Sequence, residues 1–421
     1  MHLRLILILA LTPALVFGQF GSSDYYVSAP YAGGIWKGDS QTGETTPFAL
    51  GLLIPHYGWF GNDGNFYVPD RGWNALMKIT PQGQIIPVSA GGHFMKPVTC
   101  IPTLDDTAWV VSDMEANKII RVEYDGTQTL LYDNLTASGL LNGPDGIAYD
   151  DAGNLYVANL GNDTLIKIDP QGQATLFSDA DIIREPGGVA IDGAGNLFVA
   201  NYGSHVISRF RLDTGEGQEF TSFDSTKMAN PNDLKLSRKG GLLVSGRQGR
   251  VSRIDALGQV SIMFENLSLS ELDGVSVPED ATLCTGRFTT YGRGEEGSGG
   301  IIPQLRAIFS PCPGQVIGLE ILDFLGGTQA LMFVSSHALP SGLMAFKGAP
   351  LLVDPSGVLF LGIPLVLPGS GTGEGDLTLQ FQIPDLPGLA GLELFHQVFA
   401  LDPSAAGGIS ASNGLKETFG L

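Results

Sequence analysis

Three residues have types and settings suited to holding a divalent cation: Asp145 in Pro144-Asp-Gly, Asn232 in Pro231-Asn-Asp and Asp273 in Leu272-Asp-Gly. Carboxylate and amide oxygens together suit a hard cation such as Ca²⁺; Mn²⁺, Zn²⁺ and Mg²⁺ are the other candidates. A metal held there would polarise a lactone or ester carbonyl and acidify a water. Asp and Asn also cap turns through their own backbone, so both readings stand at this point. A second group, His56, Tyr57, His93 and His205, offers ligand-binding side chains, and a histidine among them can act as a general base. No Gly-x-Ser-x-Gly elbow occurs, so a serine hydrolase lacks its motif.

What positions these residues is a repeat. Pro144 begins PDGIAYDDAGNLYVANLGNDTLIKIDPQGQATLF, and Pro186 begins PGGVAIDGAGNLFVANYGSHVISRFRLDTGEGQEF, 42 residues later by the numbering. Weaker copies begin at Pro55, Pro97, Pro231 and Leu272. A period of about 40–45 residues is that of propeller blades. Each unit reads as four strands, for example GIAYD, LYVAN, LIKID and ATLF, with alternating burial and β-branched residues. Asp151-Ala-Gly153-Asn supplies a tight turn between the first two strands, and its glycine tolerates a positive φ. One such sheet cannot bury both faces, so the blades stack around an axis.

The residue after each repeat start then rings the central channel: His56, Val98, Asp145, Gly187, Asn232 and Asp273. A second series, Asp70, Asp113, Asn159 and Asn201, ends the second strand of each blade and reads as structural turn caps. Tyr31, Trp36, His56, Tyr57, Trp59 and Trp73 cluster in the first two blades. They either stack on a sugar or other planar ligand or pack between blades. Five blades are complete, at 55–90, 97–133, 144–178, 186–223 and 231–266. The strands YYVSA, GIWKGD and TTPFA of 24–52 lack a first strand, which DGVSV at 273–277 supplies. That union closes a six-bladed ring and removes exposed edges. LCTGR at 283–287 looks like a surplus strand and keeps a seventh blade open.

The flanks differ in character. Residues 1–18 carry Arg4, an apolar run from Leu5 to Phe17 and small Val16 and Gly18, as in a secretory signal peptide. From 311 to 421 there is no Arg, Lys occurs only at 347 and 416, and Pro/Gly turns separate strand-like runs such as QALMFVSS and LELFHQVFAL. That composition fits a small β-sandwich. The chain has 421 residues, 58 glycines and a net charge of −20, which favours turns and opposes nucleic acid as a partner. Its cysteines are Cys100, Cys284 and Cys312, an odd number, with a Cys284–Cys312 bridge as one possible pairing. Asn134-Leu-Thr, Asn162-Asp-Thr and Asn266-Leu-Ser match the glycosylation acceptor pattern, which matters in a eukaryotic secretory route.

PDGIAYDDAGNLYVAN, PGGVAIDGAGNLFVAN and PNDLKLSRKGGLLVSG resemble NHL-type six-bladed propellers, and more loosely the gluconolactonase/senescence-marker-protein propellers. The second resemblance implies a divalent metal held by a Glu, Asn residues and an Asp near inner-strand starts. Asn232 is similar to its Asn-Asp element, and Asp145 and Asp273 to its Asp-Gly element. No Glu stands at an equivalent position, and the liganded blades are spaced differently. The C-terminal region, with IPDLPGLAGLELFHQVFALDP and SASNGL, is similar to a module of exported bacterial proteins, which implies location more than activity.

The expectation is an all-β protein: signal peptide 1–18, propeller 19–290, Gly-rich linker 291–310 and C-terminal β-sandwich 311–421. It is expected to be secreted, periplasmic or at the cell surface, with no transmembrane segment after signal cleavage. Its expected role is to bind a small molecule, glycan or protein through the loop face or channel mouth. The alternatives are a metal-dependent lactonase or related hydrolase, and a structural surface protein whose C-terminal module associates with the cell envelope.

Overall fold

The computed structural model describes residues 24–420, apart from 40–41, 137–138, 224–228, 238–239, 279–284, 341–343 and 358. The signal-like segment 1–18 lies outside the described residues, as does Cys284. Cys312 is disulfide-bonded, and Cys100 is a buried free thiol. No described helix is long and apolar enough to cross a membrane.

Six four-stranded antiparallel sheets form the blades. Blade 1 joins Val275–Ser276 as inner strand to Asp24–Ala29, Gly34–Asp39 and Thr45–Leu50, as the sequence predicts. Tyr26 and Val27 pair with Ser276 and Val275, so the two ends of the propeller close one sheet. Blades 2 to 6 begin at inner strands Trp59–Phe60, Pro97–Pro102, Pro144–Tyr149, Pro186–Ile191 and Ala229–Leu236. The middle strands bury both faces between neighbouring sheets: Phe66–Asp70, Ala108–Asp113 and Asn196–Asn201 are buried throughout. Such strands read as continuous apolar runs because no face meets water.

The turn between first and second strands is set by a side chain. In blade 4, Asp150 Oδ1 accepts from the amides of Ala152 at 3.0 Å and Asn154 at 2.8 Å, with Gly153 at φ +84°. In blade 5, Asp192 accepts from Ala194 at 2.9 Å and Asn196 at 2.8 Å, with Gly195 at φ +79°. The Asp and Asn residues ending the second strands are turn caps that also clamp the incoming loop. Asp70 accepts from the amides of Leu53, Ile54, Gly72 and Trp73. Asp113 accepts from Met95, Lys96 and Ala116.

The expected surplus strand at 283–287 lies partly outside the described residues, and of it only Arg287 belongs to a described strand. Arg287–Tyr291 pairs with Gly414–Thr418 in a six-stranded sheet with Glu393–Leu401, Gln329–Ser335, Phe360–Val366 and Ile409–Ala411. Gln304–Ile308 pairs with Val316–Leu322, which pairs with Leu377–Gln382. These sheets enclose a core around Leu305, Leu319, Met332, Val398 and Leu415. The expected linker 291–310 and the boundary at 311 are therefore corrected: two sandwich strands precede Cys312. Their alternation was hidden by the Gly-rich stretch between them.

The two modules are fastened together. Asp192 Oδ2 accepts from the Phe309 amide at 2.9 Å, and the Ser310 hydroxyl accepts from the Gly193 amide at 2.8 Å. Ile308 and Phe309 join the apolar cluster of Phe198, Ile207 and Leu234 between blades 5 and 6. A buried ion pair, Arg209 Nη2 to Glu320 Oε1 at 2.8 Å, crosses the junction.

Candidate functional site

The channel ring is built by β-bulges. Pairing of the first two strands is interrupted between Pro97 and Thr99, Pro144 and Ile147, Pro186 and Val189, and Pro231 and Leu234. Bulges re-aim side chains out of a ladder. They release Val98, Asp145, Gly187 and Asn232 from regular pairing. The glycine at 187 is forced: a Cβ there would stand 2.5 Å from the Asn232 carbonyl and 3.1 Å from the Tyr57 hydroxyl.

Serines stitch the ring from behind. Each donates to the carbonyl of the ring residue in the next blade: Ser28 to His56, Ser112 to Asp145 and Ser245 to Asp273. Each lies on a second strand, so each bond crosses a blade boundary.

The front of the ring is a continuous polar network. The Tyr57 hydroxyl donates to Asn232 Oδ1 at 2.6 Å, and Asn232 Nδ2 donates to Asp273 Oδ1 at 2.7 Å. Asp273 Oδ2 lies 3.1 Å from His56 Nε2, and Arg71 Nη1 lies 2.9 Å from the same nitrogen. Burial, then the Arg71 charge, holds the His56 imidazole well below its usual range. Burial, then the charges of Glu271 and Asp145, raises the Asp273 carboxyl well above the usual range. The two directions agree on one arrangement. His56 is neutral with its proton on Nδ1, and its one Nε2 lone pair is shared between Arg71 and a protonated Asp273 that compete for it. The pair is a neutral hydrogen bond rather than an ion pair.

Asp145 is 2% exposed, and burial pushes its carboxyl up to about 7, with Asp233 adding to the shift and Arg71 opposing it. Behind it, Lys235 Nζ grips both oxygens of Asp233 at 2.9 and 3.0 Å and stands 5.6 Å from the Trp59 ring centre. Three buried polar atoms in this region have no hydrogen-bond partner: Asp145 Oδ1, His56 Nδ1 and Arg71 Nε. Buried polar atoms are ordinarily paired, so three together call for a ligand or water.

Of the sequence candidates, His56, Tyr57, Asp145, Asn232 and Asp273 come together here. His93 and His205 do not join the network. The His93 amide donates to Gln128, and His205 Nδ1 accepts from the Asn230 amide at 2.9 Å, steadying the approach to Asn232. Among the aromatics, Tyr57 is core, Trp36 and Trp59 pack between blades, and Tyr31 and Trp73 are exposed. Sequence reasoning missed Arg71, Asp233 and Lys235. A repeat pattern cannot show Arg71, which occurs in one blade. Asp233 and Lys235, alternating with Leu234 and Leu236 in a buried inner strand, had to be paired, and that was a usable signal.

The donor set does not fit a divalent cation. The Asn232 oxygen and both Asp273 oxygens are engaged by Tyr57, Asn232 and His56, and Arg71 shares the space. Among the described residues no three His, Cys, Asp or Glu side chains converge as metal ligands.

Fold and site define a six-bladed β-propeller with a C-terminal β-sandwich and a polar ring at the channel mouth. Residues 56–177, blades 2 to 4, match the family model described as SMP-30/Gluconolactonase/LRE-like region. No curated protein matches the chain. Among solved structures, a nidogen/laminin complex is similar at TM-score 0.52 and 16% identity, over 60% of this chain and 97% of that one. A virginiamycin B lyase from Staphylococcus aureus is similar at TM-score 0.46 and 16% identity, over 62% and 94%. A Xanthomonas campestris gluconolactonase is similar at TM-score 0.48 and 14% identity, over 65% and 92%. At 16% identity, the first of these likenesses speaks for the propeller fold alone.

Proposed function

We propose that the protein binds a small hydroxylated ligand, of the sugar or sugar-acid class, at the channel mouth. The observation that carries this reading is the set of unpartnered buried atoms: a guanidinium nitrogen, an imidazole N–H and a carboxyl oxygen. They offer two donors and one acceptor to a ligand with adjacent oxygen atoms. Arg71 and His56 would orient it, and Asp145 would take its hydroxyl. The binding does not require a metal, because the ring's own cations and protons neutralise its carboxyls. Calorimetric titration of the full chain against aldonic acids, aldonolactones and pyranoses, with EDTA present, tests this. Saturable binding lost in Tyr57→Phe and Asp145→Asn is expected. Failure across the panel would end the proposal.

One observation favours a second reading, hydrolysis of a lactone or ester. A carboxyl near 7 is half ionised at neutral pH, the condition in which a general base works best. Asp145 would take a proton from water while Arg71 stabilises the oxyanion. A lactone assay that rises with pH through about 7, and persists in EDTA, separates this from binding alone. We further propose an extracytoplasmic location, on the strength of residues 1–18, tested by fractionating cells that express the tagged chain.

A further inference from the structure

On the opposite side of the propeller from the ring, a cleft of about 360 Å³ opens between the first-strand turns of blades 4 and 5 and the sandwich strands Arg287–Tyr291 and Gln304–Ile308. The ring residues begin the inner strands and these turns end them, so the two sites are independent. Junctions between domains are favoured places for small-molecule sites.

Three guanidinium groups from three strands line the cleft: Arg211 from blade 5, and Arg287 and Arg306 from the sandwich. In a chain of net charge −20, that is a local concentration of the scarce sign. Carboxylates are present too, but they divide into two kinds. Asp150 and Asp192 are committed to their turns, accepting backbone amides and the side chains of Asn154 and Asn196. Asp151, Asp213 and Glu216 are the arginines' partners. Arg287 meets Asp151, Arg211 Nε lies 3.3 Å from Asp213, and Arg306 Nη2 lies 3.9 Å from Glu216.

The exposures are asymmetric. The side chains of Arg211 and Arg306 are 12% and 20% exposed, whereas Asp213 and Glu216 are 59% and 72% exposed. Arg211 and Arg306 are sunk in the cleft with their anions at its rim in water, while Arg287 and Asp151 are both about half exposed at its mouth. Arg211 is further fixed by its Nη1, which donates to the Ala194 carbonyl at 3.1 Å and to Asn196 Oδ1 at 3.3 Å. Exposed ion pairs are weak, so these rim carboxylates can be displaced at little cost. They also show which anion the arginines accept, since a planar carboxylate fits a guanidinium edge to edge.

We propose that this cleft binds a small dicarboxylate, one carboxylate on Arg211 or Arg306 from the interior and the other on Arg287. Thr289 and Thr290, beside Arg287, also line the cleft. Because the arginines come from both modules, the ligand would tie propeller to sandwich.

The test uses the full chain, with malonate, succinate and tricarballylate as probes by calorimetry and thermal melting, and inorganic phosphate in parallel. The expected result is saturable dicarboxylate binding that raises the melting temperature. Arg287→Gln and Arg306→Gln should each weaken it at least about tenfold, the loss of one charge-assisted hydrogen bond. Asp151→Asn and Asp213→Asn should each tighten it about two- to fivefold, because an internal competitor is removed. A merely structural role for these pairs would not produce tightening. All four side chains reach solvent, and melts without ligand verify folding. Absence of saturable dicarboxylate binding, indifference to the four substitutions, or phosphate binding as tight as dicarboxylate would each overturn the proposal.

Discussion

Asp145→Asn isolates one buried carboxyl at the centre of the ring. Its folded value near 7, against an ordinary 3.8, means that the folded state holds a proton that the unfolded chain releases. A group with a raised folded pKa contributes stability below its unfolded value and loses that contribution as pH rises through the folded one. Between pH 5 and pH 8 the loss amounts to the two units separating pH 5 from the folded value, at about 1.36 kcal/mol each, or about 2.7 kcal/mol. Above pH 7 the ionised Asp145 sits 2% exposed, with Oδ1 unpartnered. Asparagine matches its shape and cannot ionise. The variant should therefore resemble wild type in stability at pH 5 and exceed it by about 2–3 kcal/mol at pH 8. Urea unfolding followed by tryptophan fluorescence at pH 5, 6, 7 and 8 measures this. The difference between the two curves matters, since it cancels the carboxylates remote from Asp145, while Asp273, whose carboxyl the Asp145 charge helps raise, shifts with the substitution. A difference that stays flat from pH 5 to pH 8 would refute the placement of a protonated Asp145 in the ring. If stability gain at pH 8 comes with loss of ligand binding, Asp145 is a site residue held at a cost to the fold.

Three other perturbations bear on the architecture. Gly187→Ala must push a Cβ against the Asn232 carbonyl, so it should cost about 1–3 kcal/mol and weaken channel-mouth binding by more than its melting shift accounts for. Ser112→Ala removes the hydroxyl that holds the Asp145 carbonyl from the neighbouring blade, and should cost about 1 kcal/mol by urea unfolding. Arg209→Ala leaves Glu320 buried without its partner and should cost about 3–5 kcal/mol, whereas Arg209→Met with Glu320→Leu should recover most of that in calorimetric melts.

The fold was legible because its signals are repeated. The Asp-x-x-Gly-Asn turn of blades 4 and 5, the alternating strands and the proline at five of the six starts recur at blade spacing, and each recurrence tests the last. Even the closure could be found, since a blade missing its first strand and a first strand missing its blade stand at opposite ends. The repeat also placed His56, Asp145, Asn232 and Asp273 on one ring. It could not say what they do there. Their chemistry depends on Arg71 and on the Asp233–Lys235 pair, which occur once each and carry no periodic mark. The Asn232 and Asp273 oxygens, which look like metal ligands in a one-dimensional reading, are turned toward Tyr57, Asn232 and His56 in three dimensions. The His205 ring accepts from the Asn230 amide, and His93 is held through its own amide by Gln128, so neither reaches the ring. The sandwich boundary failed for a different reason: Arg287–Tyr291 finds its partner, Gly414–Thr418, far along the chain, and non-local pairing leaves no local trace.

The central claim is that the channel mouth binds a small polar ligand through Arg71, His56, Tyr57 and Asp145 without a bound metal. Calorimetric titration of an aldonic acid into the full chain, once in EDTA and once with Ca²⁺ or Mn²⁺, tests it most directly. The account predicts the same saturable binding in both conditions and its loss in Tyr57→Phe and Asp145→Asn. Binding that appears only with a divalent ion, or that survives both substitutions, would contradict it.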